Sequence, residues 1–336
     1  MEPPPVRYVT TADGVNIAYS VSGSGPPLLF LGPALGGMAH PWRVFPDWMQ
    51  ALTARFQVIQ HDMRGHGLSD RGLPADLAIG DDEKSIEAIL DRLQLDRYVV
   101  HGLSGVGHMG VRWAARHPDQ VQALILNGTV VSNATPSFYQ AVAAENWEFF
   151  LRSMVPASVS PEDSQRWFEG VRDSTRHEDW LIRARVASES NILDVLPQVR
   201  VPTLILHARG LALVPSEGAT RLASMVPNSR LVVLSGDNWM GDVTEGIAAI
   251  EEFLAELELA PTLPARSREV VAENVLSGRE TEVLRLLSAG RSNKDIAAEL
   301  VISVRTVERH INHIYEKIGV SNRVEAARYA SRAGIG

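Results

Sequence analysis

The chain has 336 residues, 45% of them apolar, which is room for two domains and one large buried core. It carries no cysteine, which excludes a disulfide framework and a thiolate metal site and fits a reducing cytoplasm. The net charge of −8 is unevenly spread: residues 276–336 hold ten Lys/Arg against seven Asp/Glu, a net +3, while the remainder carries −11, so any nucleic-acid footprint is local.

Near the start, Tyr8–Thr11 and Val15–Val21 read as two strands joined at the turn pair Asp13-Gly14. The opening MEPPPVRYVTTADGVNIAYS lacks the basic and apolar regions of a signal peptide, and no apolar run is long enough to span a bilayer, so no membrane partner is expected. Pro27–Leu31 is a short buried strand ending in Gly32-Pro33-Ala34-Leu35-Gly36-Gly37. Phe56–Gln60 predicts the next strand, leading into the stretch DMRGHGLSD from Asp62 to Asp70. Asp81–Leu93 has helical periodicity, and Tyr98–His101 is a further strand followed by GLSGVG and a helix to about His117. Ala123–Asn127, Thr203–His207 and Leu231–Leu234 complete the strands. Strands alternating with helices predict an α/β domain with a mainly parallel sheet covered on both faces.

The DMRGHGLSD stretch, the strand–Gly-x-Ser–helix step at Ser104 and the run WAARHPDQVQALILNG resemble the α/β-hydrolase fold over about residues 6–257. That resemblance implies a helical lid at about 130–200 and a strained elbow presenting Ser104, with the backbone N–H groups of Ala34 and Gly105 as oxyanion donors. Gly102 stands two before the serine, as the tight turn requires. Two after it, where the pattern has glycine, stands Val106, whose β-branch is expected to crowd the strand–helix crossing. The family's acid falls four residues past the histidine that ends TLILH, and that position is Leu211. Its catalytic histidine falls in SGDNWMGD, where Trp239 stands, and no histidine follows His207 in this domain. The alternative acid position, after ALILNG, offers Asn127 and no carboxylate. A serine without a base is a weak nucleophile at neutral pH, and losing the base alone removes a factor on the order of 10⁶ in turnover.

No catalytic residue is therefore assigned, no cofactor is implied, and the domain is expected to be a pseudo-hydrolase. His101 is placed at a buried strand end and His108 in the helix after the elbow, while His61 and His66 are read as structural partners in the Arg64 loop. None has metal-ligand spacing. Eight of the chain's 21 aromatics lie between Val130 and Val201, among them Phe138, Trp147 and Phe150. Some of them pack the lid. Their concentration over the fold's usual pocket also points to a cavity for a small, largely apolar ligand, such as an ester or lactone, with Ser104, Ala34, Leu35, Gly105, Phe138, Trp147, Phe150 and Trp239 as its lining.

Residues 258–275 are proline-punctuated and polar, without periodicity, and read as a linker between the large domain, 1–257, and a second domain, 276–336. Ser277 with Glu280 forms a capping box for a helix that buries Val283, Leu284 and Leu287 and stops at Gly290. Ser292 caps a short helix, and Ser303 opens a longer one ending at Gly319, with Val307, Ile311, Ile314 and Ile318 as its apolar stripe. Ser321 caps a fourth, whose Ala326, Ala327, Ala330 and Ala333 present a small-residue face. From Leu276 to about Ala327 this resembles the four-helix, helix-turn-helix DNA-binding domain of the LuxR/FixJ family of bacterial transcription regulators. The resemblance implies double-stranded DNA as partner, with Arg305, Thr306, Glu308, Arg309, Asn312 and His313 facing the major groove and Lys294, Ser303 and Lys317 near phosphates. The last helix, with its alanine face, resembles the family's dimerisation helix, which implies a homodimer on an inverted-repeat operator, joined through that helix, the large domain or both. The expected whole is a cytoplasmic, ligand-responsive DNA-binding regulator. The competing reading is an active serine esterase fused to a DNA-binding domain.

Overall fold

Eight strands pair into one sheet among the described residues of the computed structural model, which are 4–32, 35–129, 131, 137–153, 161–189, 192–211, 216–259, 278–300, 302–318, 320, 323–332 and 335. They are β1 (Val6–Thr10), β2 (Asn16–Ser22), β3 (Pro27–Leu31), β4 (Gln57–His61), β5 (Tyr98–Leu103), β6 (Val121–Asn127), β7 (Thr203–Ala208) and β8 (Ser229–Leu234). Their order is β1-β2-β4-β3-β5-β6-β7-β8, with β1/β2 and β2/β4 antiparallel and every later pair parallel. Each residue of β5 and β7 is buried, as near-continuous apolar runs demand when helices cover both faces.

One face is covered by α3 (Glu83–Leu93), α4 (Gly107–Arg116) and α9 (Ser216–Met225), which set Ile86, Ile89, Val111 and Leu222 against Leu29, Val100, Leu124 and Ile205. The other carries α1 (His40–Val44), α2 (Pro46–Thr53) and α10 (Val243–Glu256), which set Trp48, Leu52, Ile250 and Phe253 against Leu28, Phe30, Ile125 and Leu204. Pro41 and Pro46 start α1 and α2, where a missing N–H costs nothing.

Between β6 and β7 the chain forms α5 (Ser137–Glu145), α6 (Trp147–Ser153), α7 (Pro161–Ser174) and α8 (His177–Glu189). These helices bury Phe150, Leu151, Phe168, Val171 and Trp180 in a core of their own. Polar contacts pin them to the loop after β4. Arg183, on α8, pairs with Asp82 (Nη2–Oδ1 2.8 Å) and donates to the Arg64 carbonyl. Asp179 accepts from the Leu73 N–H at 2.7 Å, and Arg71 donates to the Asp173 carbonyl at 2.9 Å. Arg64 itself grips Asp13 with two bonds of 2.8 Å.

The chain divides into two compact units, Met1–Thr262 and Leu263–Gly336. Residues 260–277, and with them most of the expected linker and the Ser277 cap, lie outside the described residues. The second unit contains α11 (Gly278–Ser288), α12 (Asn293–Glu299), α13 (Val304–Ile318) and α14 (Arg323–Arg332) around Val283, Leu284, Leu287, Ile296, Val307, Ile311 and Ile314. Ser292 and Asp295 form a reciprocal capping box on α12, and Gly290 at φ +78° ends α11. The alanine face of α14 requires a correction. Ala326 and Ala330 are fully buried in this domain's core, so half of the surface expected to join two subunits already packs inside one. Ala333, Gly319 and Ser321 lie outside the described residues.

Candidate functional site

The elbow is built as strand, tight turn and helix. Ser104 has φ +53°, a left-handed conformation that a non-glycine residue adopts only under constraint. Two features supply that constraint. A Cβ on Gly102 would lie 2.7 Å from Gly107 Cα, so β5 and α4 cross too closely for any side chain there. The Thr129 hydroxyl then donates to the Ser104 carbonyl at 2.8 Å, tying the turn to the end of β6. The expected crowding by Val106 does not occur, because the close approach falls one residue later, at Gly107, and Val106 is buried beside the crossing.

Among the described residues no side chain hydrogen-bonds to the Ser104 hydroxyl. Leu211 is 6% exposed at the end of β7 and packs with Ala208 and Trp239. Both reach the turn after β6: a Cβ on Gly128 would lie 3.2 Å from the Trp239 ring and 3.7 Å from Leu211 Cδ2. The two positions that the sequence resemblance assigns to an acid and a base thus come together as an apolar contact. The nearby Asn127 is fully buried, with its amide directed at Met240. His101 is fully buried, edge-on to Phe30 at 5.1 Å, and burial pushes its pKa down to about 3. His108 and His207 are buried in α4 and β7. Among the described residues no group of three His, Cys, Asp or Glu side chains could hold a metal ion.

The expected ligand lining separates into parts. Trp147 and Phe150 belong to the lid's own core, stacked at 5.5 Å, and half-buried Leu35 packs against that core. Ala34 and the side chain of Phe138 lie outside the described residues. A recess does exist, over the carboxyl ends of β3 and β4, with room for about one water molecule. Its wall includes Phe30, Met38, Gln60, His61, His66, Val106 and Met109, and none of the expected lining residues that are described. Gln60 and His61 were not among the predicted site residues. The signal for them is a polar pair closing an apolar strand, QVIQH. His66 faces the Arg64 carbonyl at 3.3 Å as expected of a partner in that loop and also lines the recess, whereas His61 lines the recess with neither ring nitrogen hydrogen-bonded among the described residues.

In the second unit α13 presents Glu308, Arg309 and His313 to solvent, with Thr306 half-buried and Val307, Ile311 and Ile314 inward. Lys294 is exposed on α12, and Ser303 caps α13 by accepting from the Thr306 N–H at 3.1 Å. The side chains of Arg305, Asn312 and Lys317 lie outside the described residues. Two guanidinium groups brace the module: Arg279 donates to the Leu300 carbonyl and Arg323 to that of Arg291, fixing α12 against α11 and α14.

Comparison with known proteins matches residues 26–167 to the alpha/beta hydrolase fold and residues 274–330 to the bacterial regulatory proteins of the luxR family. A non-heme haloperoxidase of Rhodococcus erythropolis is 30% identical over 265 residues, which cover 68% of this chain and 91% of that protein. A Mycobacterium bovis protein named as an HTH-type transcriptional regulator is 44% identical over 69 residues, 20% of this chain and 8% of the relative. The crystal structure of esterase RhEst1 from Rhodococcus sp. ECU1013 matches with a TM-score of 0.63 at 22% identity, covering 75% of this chain and 99% of that one, a likeness of fold. The chain belongs to the α/β-hydrolase family through its large domain and to the LuxR family of bacterial regulatory proteins through its C-terminal one. A C-terminal domain of the luxR type of bacterial regulatory proteins is thus joined to a hydrolase-fold domain. No helix among the described residues is long and apolar enough to cross a membrane.

Proposed function

We propose that the hydrolase-fold domain binds a small, largely apolar ligand, an ester or lactone being the class its relatives' fold accommodates, without hydrolysing it. Binding then alters how the LuxR-type module engages DNA. The observation that supports this reading is the Leu211–Trp239 contact, which puts hydrocarbon and indole where proton transfer would need a carboxylate and an imidazole. Such a surface favours an apolar guest and offers a single N–H donor. Coupling to DNA requires the ligand to bind one of two states of the chain more tightly than the other. On DNA the protein acts as a homodimer on an inverted repeat, with the solvent face of α13 in the major groove and Lys294 and Ser303 at phosphates.

The competing reading, an esterase tethered to DNA, draws on the retained left-handed elbow at Ser104. An ester-hydrolysis assay on the full chain with a Ser104→Ala control separates the two. Turnover at background in both proteins is expected; robust turnover lost on Ser104→Ala establishes the enzyme and removes the sensor.

A further inference from the structure

The recess over the ends of β3 and β4 excludes Ser104, Leu211 and Trp239 from its wall, and its composition is its own. Phe30, Met38, Met63 and Met109 make most of it apolar. Three polar side chains break the pattern: Gln60 and His61, adjacent on β4, and His66 from the loop that follows. Successive strand residues leave by opposite faces, so Gln60 and His61 reach the recess from the two sides of the strand's carboxyl end. They are 2% and 7% exposed. Gln60 Oε1 accepts from Trp42 Nε1 at 2.8 Å, which fixes the amide and leaves its Nε2 donor for another partner. That Nε2 and both ring nitrogens of His61 have no hydrogen-bonding partner among the described residues. Buried polar atoms are nearly always paired, so three of them at one recess call for a guest that pairs them.

Charge narrows the chemistry. Among the described residues no Lys, Arg, Asp or Glu lines the recess. Burial holds His61 down to about 4, so the imidazole is neutral at pH 7. A neutral imidazole and an amide together offer N–H donors for one oxygen and a lone pair for one hydroxyl proton. A carboxylate would meet no Lys or Arg among the described wall residues, and Arg183, the guanidinium whose charge acts on His61, is already paired with Asp82, so desolvating it would go largely uncompensated. The room available admits a group about the size of one oxygen.

We propose that this recess anchors the polar end of the ligand: it takes the uncharged carbonyl or hydroxyl oxygen of a small apolar molecule through Gln60 and His61 and refuses the matching carboxylate. The assignment rests on the ligand-sensing reading and adds which end of the ligand is recognised, and by what. Isothermal titration of the full chain with γ-hexalactone, 1-hexanol and hexanoate tests it. The expected result is that a neutral compound binds at least about tenfold more tightly than hexanoate, and that His61→Phe weakens this binding at least about fivefold. His61→Phe keeps an aromatic ring, one ring atom larger, and removes no hydrogen bond among the described residues, and tryptophan emission reports its folding. Gln60→Met, which also takes the acceptor from Trp42, is the second variant, with tryptophan emission reporting its folding. If hexanoate binds as tightly as the neutral compounds, or neither variant weakens binding, the anchor is wrong and ligand sensing stands. If none of the three binds the wild-type chain, the sensing reading falls and takes the anchor with it.

Discussion

Leu211→Asp puts a carboxylate at the position that the sequence resemblance assigns to the acid, and its consequence separates a binding surface from a reaction centre. Leu211 is 6% exposed and touches Ala208 and Trp239. Losing the leucine's burial costs about 2 kcal/mol. Set among Ala208 and Trp239, the new carboxyl is expected to be held neutral. Keeping a carboxyl of ordinary pKa near 3.9 protonated at pH 7 costs about 4 kcal/mol, at about 1.4 kcal/mol per unit. That figure is a ceiling, since the chain takes the cheaper of protonation and charged burial, so the expected loss is about 4–6 kcal/mol at pH 7. The pH dependence follows from the sign. The folded pKa is raised, so the deficit is absent below the unfolded pKa and grows as pH rises above it. Relative to wild type, about 3 kcal/mol should return between pH 7 and pH 4.5. Urea unfolding followed by tryptophan emission reads it cleanly, because all seven tryptophans precede residue 240 and report the large domain alone. A loss below about 1 kcal/mol, with no pH dependence, would mean the aspartate had found a basic partner, and an apolar Leu211–Trp239 surface would be refuted.

Arg183→Met strips Asp82 of its buried partner, their side chains being 11% and 10% exposed, and should cost about 3–5 kcal/mol in the same unfolding assay. Burial pushes the Asp82 carboxyl up, but Arg183 outweighs it and holds the group below its ordinary range. The pair's contribution is therefore present above the unfolded carboxylate pKa and lost as pH falls through the lowered folded value; a wild-type-to-variant difference that grows on acidification contradicts this. Ser292→Ala removes one half of the α12 capping box and should cost the second unit about 1 kcal/mol, visible in far-ultraviolet circular dichroism and silent in tryptophan emission. Arg309→Ala should weaken operator binding by about 1–3 kcal/mol and relax base preference in gel retardation; an unchanged footprint takes Arg309 off the recognition surface.

The parts of this molecule legible in the sequence are those fixed by period and punctuation. Val307, Ile311 and Ile314 lie where their spacing put them, and the apolar runs at Pro27–Leu31 and Thr203–His207 became buried strands. What escaped reading depends on partners distant in the chain. Helices α1, α2, α9 and α10 carry weaker patterns and are shaped by the sheet faces they cover. The aromatics between Val130 and Val201 were countable, but whether they face a ligand or one another is a matter of tertiary packing, and Trp147, Phe150 and Trp180 face one another. The alanine face of α14 illustrates the same limit: small residues suit a close helix contact, and sequence does not say with which helix. Gln60 and His61 lay in plain view in QVIQH, yet a polar pair at a strand end gains meaning only when both turn out buried, with the Gln60 Nε2 and the His61 ring nitrogens unpaired among the described residues.

The elbow holds strain of a kind that is ordinarily a mark of catalysis: a left-handed serine costs on the order of 1–3 kcal/mol. The fold supplies a second reason for it. Gly102 and Gly107 let β5 and α4 meet at backbone distance, and Thr129 holds the turn through the Ser104 carbonyl rather than its hydroxyl. The turn is needed to reverse the chain onto the sheet whatever side chain it carries. Strain that packing already accounts for cannot also be counted as evidence for a nucleophile. The test is Thr129→Val, which keeps the shape that fills the space beside Gly107 and removes the hydrogen bond to the turn. If the strain is structural, this variant should lose about 1–2 kcal/mol of stability, with ligand affinity changing less than about twofold. If it serves the site, affinity or turnover should fall while stability holds.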